Sequence, residues 1–348
     1  MRPPPTAIAA LALTSALALF AAAGARPAGP GAPRTAPAGA DTTRSSAWWL
    51  GRLPDGVEKR RFILDCTGCH QFNETRVFWA GAPRTRARWA SDVARMLRYA
   101  GASSGFPVIS AGRDSLATAE WLATHLGRAL GRPEAPAAEA RPRAAGAAAE
   151  IREYDLPAPM DLPHDIAVAA DGAVLATGMF THRIYRIDPE SGRIDLVPIP
   201  VEKANPRAIE VDRAGRWWVL LGAPKRVARH DPASGRWEDW PIGLYPHSIA
   251  VSDDGASVWF NGHFTRDPER IGRLAVATGA VDSFDLPRHP GLAAAGGPLP
   301  YELRLGPDGT VWMSELQGNR IVSLDPASGA TRAYTLPTAW SGPRRFDV

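Results

Sequence analysis

The chain has 348 residues, long enough for two domains, and a formal charge of +4 carried mostly by arginine. The basic residues are scattered rather than clustered, which argues against a nucleic-acid surface. Both of its two cysteines fall within five residues of each other, so whatever chemistry they carry is local.

Residues 1–25 read as a signal peptide. Arg2 gives a positive start, Ala7 to Ala23 form an apolar stretch, and Ala23-Gly24-Ala25 is a small-residue cleavage site. No later stretch is apolar enough to cross a bilayer. The expectation is a periplasmic or otherwise exported chain without an integral membrane segment. Residues 26–47 are rich in Pro, Ala and Gly and read as a disordered linker.

A small all-α domain is predicted over 48–130. One helix runs near Gly56 to Asp65. A second covers about Thr85 to Ala100, with Trp89, Val93, Met96 and Ala100 on one stripe. Asp114 caps a third, which runs through Trp121 to Leu126 and stops at Gly127. The first helix leads into Cys66-Thr67-Gly68-Cys69-His70, the C-x-x-C-H signature of covalent haem attachment. In such a motif the two thiols become thioethers on the haem vinyl groups, and His70 supplies the proximal nitrogen to iron. A zinc site would need a second ligand pair, and a redox disulfide would need a βαβ setting; neither is present in the sequence. A helix into C-x-x-C-H, with a terminal helix to pack back on it, resembles the class I cytochrome c family. The resemblance covers about eighty residues. It implies one covalent haem c and a sixth ligand to iron. The loop Gly101 to Arg113 has no Met, so Met96, His125 and an open position all stand. Arg84, Arg86 and Arg88 are candidates to pair with haem propionates or to form a solvated basic face.

A second linker, rich in Ala and Pro, spans 131–149. From 150 to 348 the chain repeats. Pro163-His164-x-Ile166-x-Val168 returns at Pro206, at Pro246-His247, at Pro300 and at Pro343, with spacings of 43, 40, 54 and 43. The units share one order: an Asp-Gly turn (Asp171, Asp254, Asp308), a strand such as Val311-Trp312-Met313, an Arg-Ile strand (Arg183, Arg320) and an Asp-Pro-x-Ser-Gly hairpin (Asp188, Asp231, Asp325). Four short strands in about 40 residues describe a β-propeller blade, and blades must stack to bury both faces. The predicted fold is therefore multidomain: a small all-α unit followed by an all-β propeller. Four blades are visible, with a fragment of a fifth at Pro343, so the propeller reads as incomplete at its C-terminus. Ile151-Arg-Glu-Tyr-Asp-Leu-Pro157 matches the last strand of a blade and is expected to complete the final one.

The phrase Val311-Trp-Met-Ser-Glu315-Leu-Gln-Gly-Asn-Arg-Ile321 resembles the recurrent motif of the virginiamycin B lyase (streptogramin lyase) family. That resemblance implies a propeller in which a histidine base in an E-P-H-G phrase works with a Mg2+ ion held by glutamates. Here His164 and His247 occupy the Pro-His position, His263 follows Trp259-Phe-Asn-Gly, and Glu315 occupies the glutamate of the repeat. Leu162 and Tyr245 stand before Pro-His where the family's phrase has Glu. His164, His247, His263 and Glu315 are thus candidates for catalysis, for ligand binding or for the polar lining of a channel, and the three histidines for a metal. The expected function is an exported c-type cytochrome that transfers electrons, with a propeller that binds a redox partner or small substrate. A carbon–oxygen lyase with a fused haem unit and a non-catalytic binding propeller are the alternatives.

Overall fold

The computed structural model describes residues 46–68, 70–104, 108–110, 112–127, 151–263, 268–290 and 299–348. The predicted signal peptide, the second linker, residues 26–45 of the first linker and Cys69 lie outside the described residues; Ser46 and Ala47, read as the end of that linker, instead begin a helix. No described helix is long and apolar enough to cross a membrane.

Five helices precede the strands: α1 (Ser46–Gly51), α2 (Val57–Cys66), α3 (Glu74–Val77), α4 (Arg86–Ala100) and α5 (Ser115–Leu126). A two-residue pair, β1 (Phe78–Trp79) and β2 (Ala82–Pro83), links α3 to α4. Asp114 caps α5 by accepting from Ala117 N at 2.6 Å, as the sequence predicts, and Thr85 caps α4 by accepting from Arg88 N. Trp49, Phe62, Phe72, Trp89 and Leu122 form the centre of the helical core, with Val93 and Cys66 packed on it.

The rest of the described chain is four antiparallel four-stranded sheets, an arrangement compatible with a propeller. Blade 1 holds β3 (Pro163–Val168), β4 (Val174–Gly178), β5 (Arg183–Ile187) and β6 (Ile194–Pro198). Blade 2 holds β7 (Pro206–Val211), β8 (Trp217–Leu221), β9 (Arg226–Asp231) and β10 (Arg236–Pro241). Blade 3 holds β11 (Pro246–Val251), β12 (Ser257–Gly262), β13 (Arg270–Ala275) and β14 (Ala280–Asp285). Blade 4 holds β15 (Pro300–Leu305), β16 (Val311–Glu315), β17 (Arg320–Leu324) and β18 (Thr331–Thr335). The hairpins follow from the repeat chemistry. Ser191, Ser234 and Ser328 donate to Asp188, Asp231 and Asp325 at 2.6, 2.7 and 2.6 Å. The glycine that ends each turn has φ of 72°, a backbone that disfavours any side chain.

Strand periodicity explains the stacking. Trp217, Val219 and Leu221 of β8 face blade 1, and Trp218 and Leu220 face blade 3. Successive side chains of a strand point to opposite faces, so one five-residue run serves two interfaces. Blades 3 and 4 share Trp259, Ile271, Leu303 and Val322 in the same way.

Two expectations are adjusted. The segment 151–157, expected as the outer strand of the last blade, forms no strand, and blade 4 carries its own outer strand, β18. Tyr154 and Leu156 instead pack on Tyr185 and Ile187 of blade 1, and Tyr154 Oη donates to Pro189 O at 2.7 Å. Pro343 to Val348 is likewise not a strand. Arg344 O nonetheless accepts from Ser314 of blade 4, much as Tyr301 O accepts from Asn261 of blade 3. The tail thus takes an inner-strand place beside blade 4.

The helical unit docks on the propeller at blade 4. Leu64 and Val108 pack on Leu299, Tyr301 and Leu316. Gln317 Nε2 donates to Val108 O at 2.6 Å, and Arg60 Nε to Ala339 O at 2.8 Å.

Candidate functional site

The repeated Pro-x phrase opens each inner strand, and each inner strand shifts register there. The irregularities fall between Pro163 and Ile166, Pro206 and Ala208, Pro246 and Ile249, and Pro300 and Leu303. Such bulges re-aim side chains. At the bulged positions stand His164, Arg207, His247 and Tyr301.

These residues meet. The rings of His164 and His247 lie 5.0 Å apart, edge to face. His247 stacks on His263 at 4.2 Å and contacts Tyr301 at 4.3 Å. The structure therefore brings together three of the four sequence-predicted candidates, although they come from blades 1 and 3. Each imidazole turns Nδ1 toward a backbone carbonyl: His164 to Arg207 at 2.6 Å, His247 to Tyr301 at 3.1 Å, His263 to Pro300 at 3.0 Å. A carbonyl can only accept, so Nδ1 carries the proton and Nε2 is the basic nitrogen. Burial, reinforced by the Arg207 charge, pushes His164 down to about 4. Burial brings His263 to about 3, and His247 lies well below its ordinary value, again from burial first. The cluster is neutral at neutral pH.

Glu315 stands apart. It is fully buried and gripped by Arg320, whose Nε and Nη2 reach its two oxygens at 2.6 and 2.7 Å. It does not line the channel cavity. Among the described residues no three His, Cys, Asp or Glu side chains are placed together as metal ligands.

The channel itself is a cavity of about 980 Å3, and its polar lining is acidic. Asp165, Glu210 and Glu302 face it from three inner strands, with Arg345 from the tail. Arg345 bridges Asp165 at 3.2 Å and Glu302 at 3.3 Å. Arg304 also pairs with Glu302. The acids escape a motif search because they alternate between two positions of the repeat, two and four residues after the proline. Those positions share one strand face, which is the signal that identifies them. Burial raises all three carboxyls, Glu210 to about 7.

The sign of the Glu210 effect is fixed. Its folded pKa lies above its unfolded value of 4.5, so the folded state holds the proton more tightly. Stability falls as pH rises from about 4.5 to about 7 and is then level. Glu210→Gln keeps an acceptor for Val251 N and removes this slope. The expected result is a gain of about 3 kcal/mol at pH 8 and little change at pH 4, read by urea denaturation. An unchanged slope in the variant would refute it.

In the helical unit Cys66 ends α2, half-buried, and His70 is exposed with Nδ1 3.3 Å from Gln71 O. Met96 and His125 are half-buried on α4 and α5, His125 edge-on to Trp121. The three arginines have protein partners: Arg84 and Arg88 pair with Asp92, and Arg86 with Glu120.

The model of the virginiamycin B lyase family matches residues 150–346. The chain is similar to a solved streptogramin B lyase, at 26% identity and a TM-score of 0.48, covering 55% of this chain and 60% of that one. It is similar to selenomethionine-substituted virginiamycin B lyase from Staphylococcus aureus at 25% identity and 0.45, covering 52% and 58%. A catalytically inactive form of that lyase with quinupristin gives 24% and 0.46, covering 55% and 61%. The chain thus spans about 60% of the length of these solved structures. No curated protein matches.

Proposed function

The chain belongs to the virginiamycin B lyase family, and on that footing we propose that it is a ligand-binding propeller presented by an exported haem protein. The observation that carries the reading is the neutral cluster of His164, His247, His263 and Tyr301, drawn from three blades to one place. Convergent polar groups on a rigid scaffold are the ordinary form of a small-molecule site. A further contact supports pairing this site with the helical unit. Arg344 Nε donates to Tyr301 Oη at 2.9 Å, and the same guanidinium lies against Gly68 of the C-x-x-C-H loop.

The residues around that loop fit a covalent haem. Cys66 and Cys69 would carry the thioethers. His70 would face iron through Nε2, because Gln71 O engages Nδ1. Trp89 Nε1 is buried without an acceptor among the described residues, a donor that a propionate would satisfy. Met96 or His125 would complete the iron. When bound, the haem supplies a one-electron couple whose potential follows that ligand. Arg84, Arg86 and Arg88 already have partners and hold the fold around it.

A second reading is the family's lyase activity. It is supported by neutral imidazoles beside a phenol, because a neutral histidine is available as a base. Among the described residues no set of three glutamates is placed to hold Mg2+.

One experiment separates these readings. The protein is made in a host that exports and attaches haem. A reduced-minus-oxidised spectrum is expected to show a band at about 550 nm that Cys66→Ala removes. Quinupristin is then incubated with the wild type and with His247→Ala. Unchanged quinupristin supports the binding module; conversion that His247→Ala abolishes establishes the lyase. Absence of the band ends the haem reading.

A further inference from the structure

We propose that Arg207 makes the histidine cluster a site for a small organic hydroxycarboxylate. The inference rests on the binding-module reading and names its ligand class. Arg207 opens the second inner strand, in the place that His164, His247 and Tyr301 hold in the others. It is only 5% exposed. A guanidinium stays charged in a protein, and a buried charge is costly unless an opposite charge meets it. No carboxylate pairs with Arg207 among the described residues. Its Nε is buried without a partner, and its Nη1 rests 2.8 Å from the Met179 thioether, a weak acceptor. The surrounding groups are tyrosines and neutral histidines: Tyr245, over whose ring the guanidinium lies at 5.5 Å, Tyr301 and the three imidazoles.

The position is built. A Cβ at Gly222 would sit 2.9 Å from Arg207 Cγ, so glycine makes room for the arginine stem. Arg207 O holds His164 Nδ1, which ties the backbone of the arginine to the orientation of the first histidine. Arg344, a second guanidinium without a carboxylate partner among the described residues, stands over Tyr301 at 4.9 Å. The contrast with the channel cavity is direct. There, Arg345 and Arg304 are matched by Asp165 and Glu302.

The ligand chemistry follows from what is missing. A guanidinium fork is completed by a carboxylate, which it binds through two parallel hydrogen bonds. The histidines contribute acceptors, because each Nδ1 proton is committed to a carbonyl. The basic Nε2 atoms of His164 and His247 therefore ask for a donor. A hydroxyl beside the carboxylate supplies it. An inorganic oxyanion without a proton would satisfy Arg207 and leave the imidazoles unmatched.

The test is calorimetric titration of the full haem-loaded chain with lactate, with its neutral amide lactamide, and with inorganic sulfate. Lactate is expected to bind at least tenfold more tightly than lactamide and sulfate. Arg207→Met should bring lactate down to the lactamide level with an unchanged thermal midpoint, and Arg207→Lys should fall between. Equal binding of lactate to wild type and Arg207→Met overturns the proposal. So does sulfate binding more tightly than lactate. Should Arg207→Met not fold, the lactate-to-lactamide ratio of the wild type decides: a ratio near one overturns it. Lactamide binding that His247→Ala removes, with no gain from the carboxylate, would end the anion inference and leave the binding module standing. No saturable binding of any probe counts against both.

Discussion

Asp65→Ala is expected to cost the helical unit about 3–5 kcal/mol, the usual penalty for removing one partner of a buried ion pair. Asp65 is 5% exposed at the end of α2, next to Cys66 of the C-x-x-C-H motif. Its carboxylate accepts from Ser110 N at 2.9 Å, Ser110 Oγ at 2.8 Å and Arg113 Nε at 2.9 Å. These bonds clamp the loop before α5 onto α2. Arg113 is itself buried, and its other charged partner is Glu58. Alanine would strand most of that charge and two donors. Asp65→Asn keeps the acceptor and shape and should lose about half as much. The exposed Asp55, paired with Lys59 on the same helix, is the control, and Asp55→Ala should leave the transition where it is. Guanidinium denaturation followed by helical circular dichroism measures all three. An Asp65→Ala transition coincident with wild type would show that the clamp does not hold the unit together.

The propeller repeat is readable in the chain because its physics is local. Each Asp-Pro-x-Ser-Gly turn is closed by a serine hydroxyl on an aspartate three residues away, and each Pro-x phrase marks a bulge. The cap Asp114 is legible for the same reason. The histidine cluster was partly legible. The Pro-His phrase singles out His164 and His247, but only the stacking of blades shows that His263 and Tyr301 join them. Arg207 was invisible as a site residue. It occupies the histidine's place in its repeat, yet its significance is the absence of a counter-ion, which no one-dimensional pattern records. The acidic channel residues escaped because they alternate between two repeat positions. Glu315 shows a motif position whose surroundings are structural. It sits in the best-matched phrase of the family motif, and the partner that holds it, Arg320, lies five residues on in the same phrase.

The Glu315–Arg320 pair gives the other large expected effect, and it decides what that phrase is for. Arg320 is 5% exposed and forks onto both oxygens of Glu315, and it also donates to Pro287 O at 2.9 Å. The fork ties β16 to β17 and both to the segment after blade 3. Arg320→Met should cost about 3–5 kcal/mol, because it leaves a carboxylate buried without its cation. Burial already raises the Glu315 carboxyl against the pull of Arg320. Without the arginine that carboxyl should be raised further and take up its proton at higher pH than in the wild type, so the loss should shrink as pH is lowered. Glu315→Met combined with Arg320→Met removes both charges, and apolar replacement of a whole buried pair is close to neutral. The double variant should therefore recover most of the lost stability, a non-additivity that a cycle of urea denaturations reads directly. If Glu315 serves only to join strands, the double variant also keeps the wild-type response to ligands at the histidine cluster. A stable double variant that has lost that response would instead place Glu315 in the site's function.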